Sequence, residues 1–190
     1  MSHFDSAGYL PQGGLLFSWK TVRENVELPL AIQGIDQRTR RKVVDEQLEP
    51  FGLRGFDSRY PQELSGGMRQ RAALLRTVVT GAPILFLDEP FGALDTITRH
   101  RLQDWLAALI QELDRTMLLV THDLEEALVL SERVIVLTQR PASVAGEILF
   151  KPEDAEEKQR TSKAFRDAKA TLLETIEKGA HKTDDQNRCI

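Results

Sequence analysis

Two adjacent carboxylates, Asp88 and Glu89, come directly after the apolar run Ile84-Leu85-Phe86-Leu87, with no Lys or Arg beside them in sequence. A buried strand ending this way fixes two acids side by side at a sheet edge. In a nucleotide hydrolase the first would hold magnesium through water, and the second would polarise the attacking water. The competing account is a solvated acidic pair that caps the next segment, and the pair alone does not choose between the two.

Leu64-Ser65-Gly66-Gly67-Met68-Arg69-Gln70 is a second candidate, at the start of a helix expected to run to about Thr80. Missing side chains at Gly66 and Gly67 let backbone N–H groups approach an anion, the helix N-terminus favours negative charge, and Ser65 can cap or donate. Read by itself, Ser-Gly-Gly is better explained as an ordinary cap after a Gly-rich turn. His122 follows a third candidate, the end of the apolar run Met117-Leu118-Leu119-Val120, and precedes Asp123. A lone histidine there more often packs or hydrogen-bonds than catalyses. Gln12, on its own, is a polar loop residue.

The elements that must position these residues are readable from local patterns. Ala7 to Leu10 is a short strand end closed by Pro11. Thr21-Val22-Arg23-Glu24 has capping-box spacing, Asp36 precedes another helical stretch through Val43, Val44, Leu48 and Phe51, and Gly52 suits the left-handed position past its end. From Ile84 the pattern changes to short continuous apolar runs, at 84–87, 117–120 and 134–137, expected to be buried on both faces. Helical segments lie between them, one through Leu102, Leu106, Leu109 and Leu113, and one opened by Asp123 with Glu126 as a capping-box partner. Strands alternating with helices mean a parallel α/β sheet, and ligands of such sheets gather at the carboxyl ends of the strands. Asp88, Glu89, Thr121 and His122 all stand there. A helix is expected from about Pro152 to Lys178, with Phe165, Leu172, Leu173 and Ile176 inward.

Composition narrows the class. The 190 residues suit one ordinary core, and 25 basic against 29 acidic side chains give a net charge of -4, which disfavours a surface that coats nucleic acid. The single cysteine, Cys189, can form no internal disulfide, which fits a reducing cytosol. No signal-peptide pattern and no window of about 18 apolar residues is present, so the chain is expected to be soluble or peripheral to a membrane. The polar stretch 181–190 is expected to fray.

Taken together, the segments resemble the ATP-binding subunit of ABC transporters. Leu64 to Arg71, LSGGMRQR, resembles the family signature, and Ile84 to Pro90, ILFLDEP, resembles its Walker B segment. Phe91-Gly92-Ala93-Leu94-Asp95 is similar to the D-loop, Val120-Thr121-His122-Asp123 to the switch-histidine loop, and Tyr9-Leu10-Pro11-Gln12 to the Q-loop. The resemblance implies a P-loop NTPase-like parallel sheet with a helical subdomain at about 21–80, incomplete at the N-terminus, within a nucleotide-binding domain over 1–180. It implies Glu89 and His122 as catalytic groups, Asp88 and Gln12 as magnesium contacts, and ATP and Mg2+ as cofactors. Ser65, Gly66, Gly67 and Gln70 would serve a nucleotide held mainly by the opposite subunit of a dimer, and Asp95 the dimer contact.

Leu15-Leu16-Phe17 with Trp19, and Thr21 to Val26 after it, resemble importers of the nitrate, sulfonate, taurine and thiamine-precursor group. That implies a transmembrane permease subunit as partner, a second nucleotide-binding subunit, an extracytoplasmic solute-binding protein in the system, and a place on the cytoplasmic face of the membrane. The apolar cluster could form a groove for a short helix of the membrane subunit, or could seal the chain's own helical core. A phosphate loop G-x-x-x-x-G-K-[ST] should precede Gln12 by several tens of residues, yet no Gly-Lys pair occurs in the sequence. The chain is therefore expected to be truncated at its N-terminus and inactive towards ATP alone. A non-catalytic binding module and a soluble non-transport ATPase are the other readings.

Overall fold

Strands β1 (Ala7–Leu10), β2 (Ile84–Asp88) and β3 (Thr116–Val120) pair in parallel in the order β1-β2-β3. The computed structural model describes residues 7–140, 142–151 and 159–187, with side chains through residue 179. The chain divides into two compact units, Met1–Thr121 and His122–Ile190.

In the first unit, register places Gly8 beside Leu85 and Met117, and Leu10 beside Leu87 and Leu119. This face is covered: Leu10, Leu85 and Leu87 are buried. Gly8 is needed for the approach, since a Cβ there would stand 3.0 Å from the Thr77 Cγ2 of the helix Gly66–Val78. The opposite face carries Tyr9, Phe86, Leu118 and Val120, all between 37% and 58% exposed. The runs at 84–87 and 117–120 are thus buried on one face rather than two. A parallel sheet ordinarily has helices on both sides, and among the described residues of this unit only the Gly8–Leu85 face is packed.

The helices begin where the caps require. Helix α1 (Val22–Ile32) starts at Thr21, whose N–H donates to Glu24 Oε2 at 2.8 Å while Thr21 Oγ1 accepts from Glu24 N–H at 3.2 Å, the reciprocal capping box. Helix α2 (Gln37–Leu48) starts at Asp36, which accepts from the N–H groups of Arg38 and Thr39. It is closed by Gly52 at φ 64 and the 2.7 Å bond from Leu53 N–H to Leu48 O. A single 3-10 turn, Pro61–Glu63, leads to α3 (Gly66–Val78), and α4 (Thr96–Glu112) lies between β2 and β3. Helix α1 packs on α2 and α3, and α3 packs on β1 and α4. Val22, Val26, Leu30, Leu75 and Leu102 are buried.

The second unit holds α5 (Leu124–Leu130), β4 (Arg133–Leu137), β5 (Val144–Leu149) and α6 (Lys163–Asn187). Asp123 caps α5, accepting from Glu125 and Glu126 N–H at 2.9 and 3.1 Å. The run at 134–137 is a strand, but it pairs antiparallel with β5, in a separate two-stranded sheet, and is not a further parallel strand. Short connection explains this: a strand six residues downstream can return as an antiparallel partner, whereas a parallel partner needs a crossover of a dozen or more residues. Helix α6 buries Phe165 and Leu172, with Phe165 edge-on to Phe150 at 5.9 Å. Leu173 and Ile176, expected inward, are 44% and 39% exposed, because the covered stripe follows the Phe165–Leu172 spacing and leaves them on its flank. The helix also continues to Asn187, through the segment expected to fray. It begins at Lys163, and residues 152–158 of the expected helix lie outside the described residues.

Candidate functional site

The carboxyl ends of β1 and β2 bring four polar side chains together. Gln12 Nε2 donates to Glu89 Oε2 at 2.7 Å, and the Tyr9 hydroxyl donates to Asp88 Oδ2 at 3.1 Å. Parallel pairing of Leu10 with Leu87 is what aligns the two strand ends. The bond to Asp88 raises the Tyr9 phenol above its usual value of 10.0, chiefly because ionising it would break the bond beside a carboxylate. In sequence Tyr9 is only part of the Q-loop resemblance; the signal that finds it as a partner of Asp88 is its place one pairing step before the end of β1, beside the strand that ends in Asp88.

Glu89 adopts φ 42, a left-handed conformation for a non-glycine residue, held by its N–H donating to Val120 O at 2.8 Å. Strain of this kind costs on the order of 1–3 kcal/mol and concentrates at functional positions. The chain after Gln12 is unusual in the same way, with Gly13, Gly14 and Leu15 at φ 77, 70 and 40. Leu15 and Trp19 are 65% and 70% exposed, with the Trp19 ring tilted against Phe17 at 5.1 Å. These two side chains do not seal the core beneath them.

The start of α3 forms a second cluster. Ser65 Oγ accepts from Met68 N–H at 3.3 Å, completing the cap. The two glycines face the neighbouring segment: a Cβ on Gly66 would lie 3.1 Å from Leu94 Cδ2, and one on Gly67 3.1 Å from Thr98 Cγ2. Close approach of two chain segments is therefore one use of these glycines, beside the anion approach and the ordinary Gly-rich turn that the sequence suggests. Asp95 caps α4, accepting from Thr98 N–H at 3.0 Å, and this bond holds its carboxyl below the usual range. Gln70 lies one turn further along α3, its Oε1 3.3 Å from where a Gly14 Cβ would stand. His122 belongs to the other unit, at the position before the Asp123 cap.

As a cation site, Asp88 and Gln12 offer oxygen donors. Gln12 spends an amide hydrogen on Glu89 and leaves its carbonyl oxygen open to a hard cation. No group of three or more His, Cys, Asp or Glu able to hold a metal occurs among the described residues. Magnesium, which keeps several waters and takes one or two protein oxygens, fits such a sparse set; a fully protein-ligated metal does not. The given sequence contains no G-x-x-x-x-G-K-[ST], the motif whose backbone N–H groups cradle phosphates.

Residues 2–92 match the ABC transporter family. Over 169 residues the chain is 43% identical to the formylaminopyrimidine import ATP-binding protein ThiZ of Halalkalibacterium halodurans, covering 89% of this chain and 68% of that protein. It is 44% identical to the nitrate import ATP-binding protein NrtD of a Synechocystis strain, over 80% of this chain and 58% of that one. Among solved structures, a dimeric ATP-binding cassette in a post-hydrolysis state, bound to ADP and Pi, aligns with a TM-score of 0.64 at 34% identity, covering 78% of this chain and 64% of that one. The fold is accordingly that of an ATP-binding cassette. The chain belongs to the ABC transporter family, with import ATP-binding proteins among its relatives. It spans roughly three-fifths to two-thirds of the length of these relatives. No helix among the described residues is long and apolar enough to cross a membrane.

Proposed function

We propose that these residues are the ATP-hydrolysing part of an importer's energising subunit, working beneath a transmembrane permease on the cytoplasmic face. The observation that carries this reading is the Gln12–Glu89 contact, which joins a loop capable of sensing the nucleotide to the carboxylate best placed to orient water. Glu89, held at a strained turn, accepts a proton or polarises water in line with a phosphoryl group. Asp88 and Gln12 supply the oxygen pair for magnesium, whose chemistry there is to neutralise charge on phosphate oxygens. The resemblance of Val120-Thr121-His122-Asp123 to the switch-histidine loop supports a contact of His122 with the terminal phosphate. Ser65, Gly66, Gly67 and Gln70 present a capped helix start to a nucleotide gripped by a second subunit, and Asp95 lies at that dimer contact. Residues 1–180 make up the nucleotide-binding portion, with 21–80 as its helical part.

The exposed Leu15 and Trp19 give the permease an apolar foothold next to Gln12. An extracytoplasmic solute-binding protein completes the system, and the solute is a small anionic or heteroaromatic compound of the kinds named for the relatives.

The 190-residue polypeptide by itself does not turn over ATP. Contacts from a helix N-terminus contribute about 0.3 to 2 kcal/mol each, whereas micromolar binding requires roughly 8 kcal/mol. Calorimetric titration with Mg-ATP tests the point. No saturable heat is expected for the polypeptide alone and ATPase activity is expected when an intact subunit and permease are added; a micromolar isotherm for the polypeptide alone contradicts the first expectation, and an inert mixture contradicts the importer role.

A further inference from the structure

The segment between Gln12 and α1 is held by two side chains that the proposed chemistry leaves unused. Arg76, near the end of α3, donates from Nη2 to Gly14 O at 2.8 Å and from Nη1 to Leu15 O at 2.9 Å, and its guanidinium stands 5.9 Å from the Phe17 ring centroid. It makes no ion pair among the described residues, so its charge is directed at two backbone carbonyls. Asn25 of α1 is fully buried and bonds to the same segment through both ends of its amide. Its Oδ1 accepts from Phe17 N–H at 2.8 Å, and the two hydrogens of its Nδ2 are shared among Phe17 O, Lys20 O and Thr21 O, at 3.1, 3.1 and 2.9 Å.

Packing agrees with the hydrogen bonds. Gly14 is buried against α3 so closely that a Cβ would lie 2.9 Å from the Ala73 Cβ and 3.3 Å from Gln70 Oε1. Gln70, Ala73 and Arg76 follow at three-residue spacing and so share one face of the helix. That face is the seat of the segment, and the helix that provides it begins at Ser65.

We propose that Arg76, seconded by Asn25, is a positioning residue that fastens the chain after Gln12 to helix α3, so that the Gln12–Glu89 contact depends on where α3 stands. The carbonyls of Gly14 and Leu15 are bonded to the helix, and Gln12 is only the second residue before Gly14, so the tie acts close to the Gln12 side chain. This deepens, and rests on, the importer reading given above. Arginine suits the task because its planar fork presents two N–H groups in a fixed geometry to adjacent carbonyls, whereas the donors of an ammonium group rotate freely on a flexible stem.

The test uses the whole 190-residue chain and nuclear magnetic resonance, with the Gln12 side-chain amide assigned by its loss in Gln12→Ala and the Trp19 indole by its loss in Trp19→Phe. In Arg76→Met, the amides of Gly14, Leu15 and Phe17 are expected to exchange about tenfold faster, the effect of removing hydrogen bonds from a locally opening segment. The Gln12 side-chain signal is expected to move to the position it takes in Glu89→Ala, while the amides of Leu102 and Leu106 in α4 keep their protection. Arg76→Lys, which restores charge and N–H donors without the planar fork, should lie between the two and keeps the test available if the methionine variant does not fold. Asn25→Asp should speed Phe17 less than Lys20 and Thr21 lose their order, since the carboxylate keeps the acceptor and loses the donors. An unmoved Gln12 signal in a folded Arg76 variant overturns the proposal, as does uniform acceleration across α4, which would make Arg76 a general stabiliser. None of these readouts needs ATP, so failure of the importer reading in calorimetry and failure of the fastening are separate results.

Discussion

Gln12 and Glu89 sit 77 residues apart in sequence and share a 2.7 Å hydrogen bond, amide nitrogen to carboxylate oxygen. Glu89→Gln keeps an acceptor oxygen for Gln12 and removes the charge proposed to orient water. In an ATPase-competent assembly, turnover is expected to fall about 10²-fold to 10⁴-fold while nucleotide binding persists. Steady-state ATPase rates alongside equilibrium binding check this, and unchanged hydrolysis takes Glu89 out of the mechanism. His122→Ala is expected to slow turnover in the same assay without lowering the melting temperature.

Tyr9 provides a pH probe of the same strand ends. Its pKa is raised above 10.0 by the bond to Asp88, so the neutral phenol is the form the fold favours. The contribution is complete below the unfolded pKa and lost as pH rises through the folded one. Asp88→Asn removes the carboxylate and should bring the tyrosinate absorbance transition of Tyr9 down towards its ordinary position, with Tyr9→Phe identifying which transition belongs to it. A transition that stays in place would separate Tyr9 from Asp88 in solution.

Glycine substitutions beside Gln12 should differ in cost. Gly13 and Gly14 both have positive φ, but a Cβ on Gly13 meets nothing within 4 Å while one on Gly14 meets Ala73 at 2.9 Å. Gly13→Ala is expected to destabilise by about 1 kcal/mol from backbone strain alone, and Gly14→Ala by about 2 kcal/mol or more once the clash is added. Urea denaturation followed by circular dichroism orders the two, and equal losses would place Gly14 away from α3.

On α6, neighbouring leucines should behave differently. Leu172 is 1% exposed and Leu173 44%. Leu172→Ala is expected to cost about 2 to 5 kcal/mol and Leu173→Ala less than about 1 kcal/mol, read as a loss of cooperativity or midpoint in the unfolding of the second unit. Comparable losses would mean that α6 presents a different face.

What was legible in the sequence was local or sequential. Thr21 with Glu24, Asp36 with Thr39, and Gly52 past its helix each act within a few residues, so their types and spacing predict the geometry found. Asp88 and Glu89 were legible as a strand end for the same reason. Harder to read were features set by what lies opposite. The apolar run Val134-Ile135-Val136-Leu137 looks the same whether its partner is parallel or antiparallel, and the partner, Val144–Leu149, decides. Leu173 and Ile176 are apolar at helical spacing, yet only the neighbouring surface determines how wide the buried stripe is. The use of Gly66 and Gly67 against Leu94 and Thr98 was hidden because those contacts span some thirty residues of chain.

Leu15 stands out for what it costs the fold. It occupies the left-handed region at φ 40 and leaves 65% of its surface in water, so it bears backbone strain without recovering it through burial. Folding stability by itself would favour glycine there, as at Gly13 and Gly14 just before it. Mutational tolerance at this position should therefore invert between assays if the proposed permease contact holds: Leu15→Gly leaves the isolated chain as stable or more so, while selection for growth through the proposed importer rejects it.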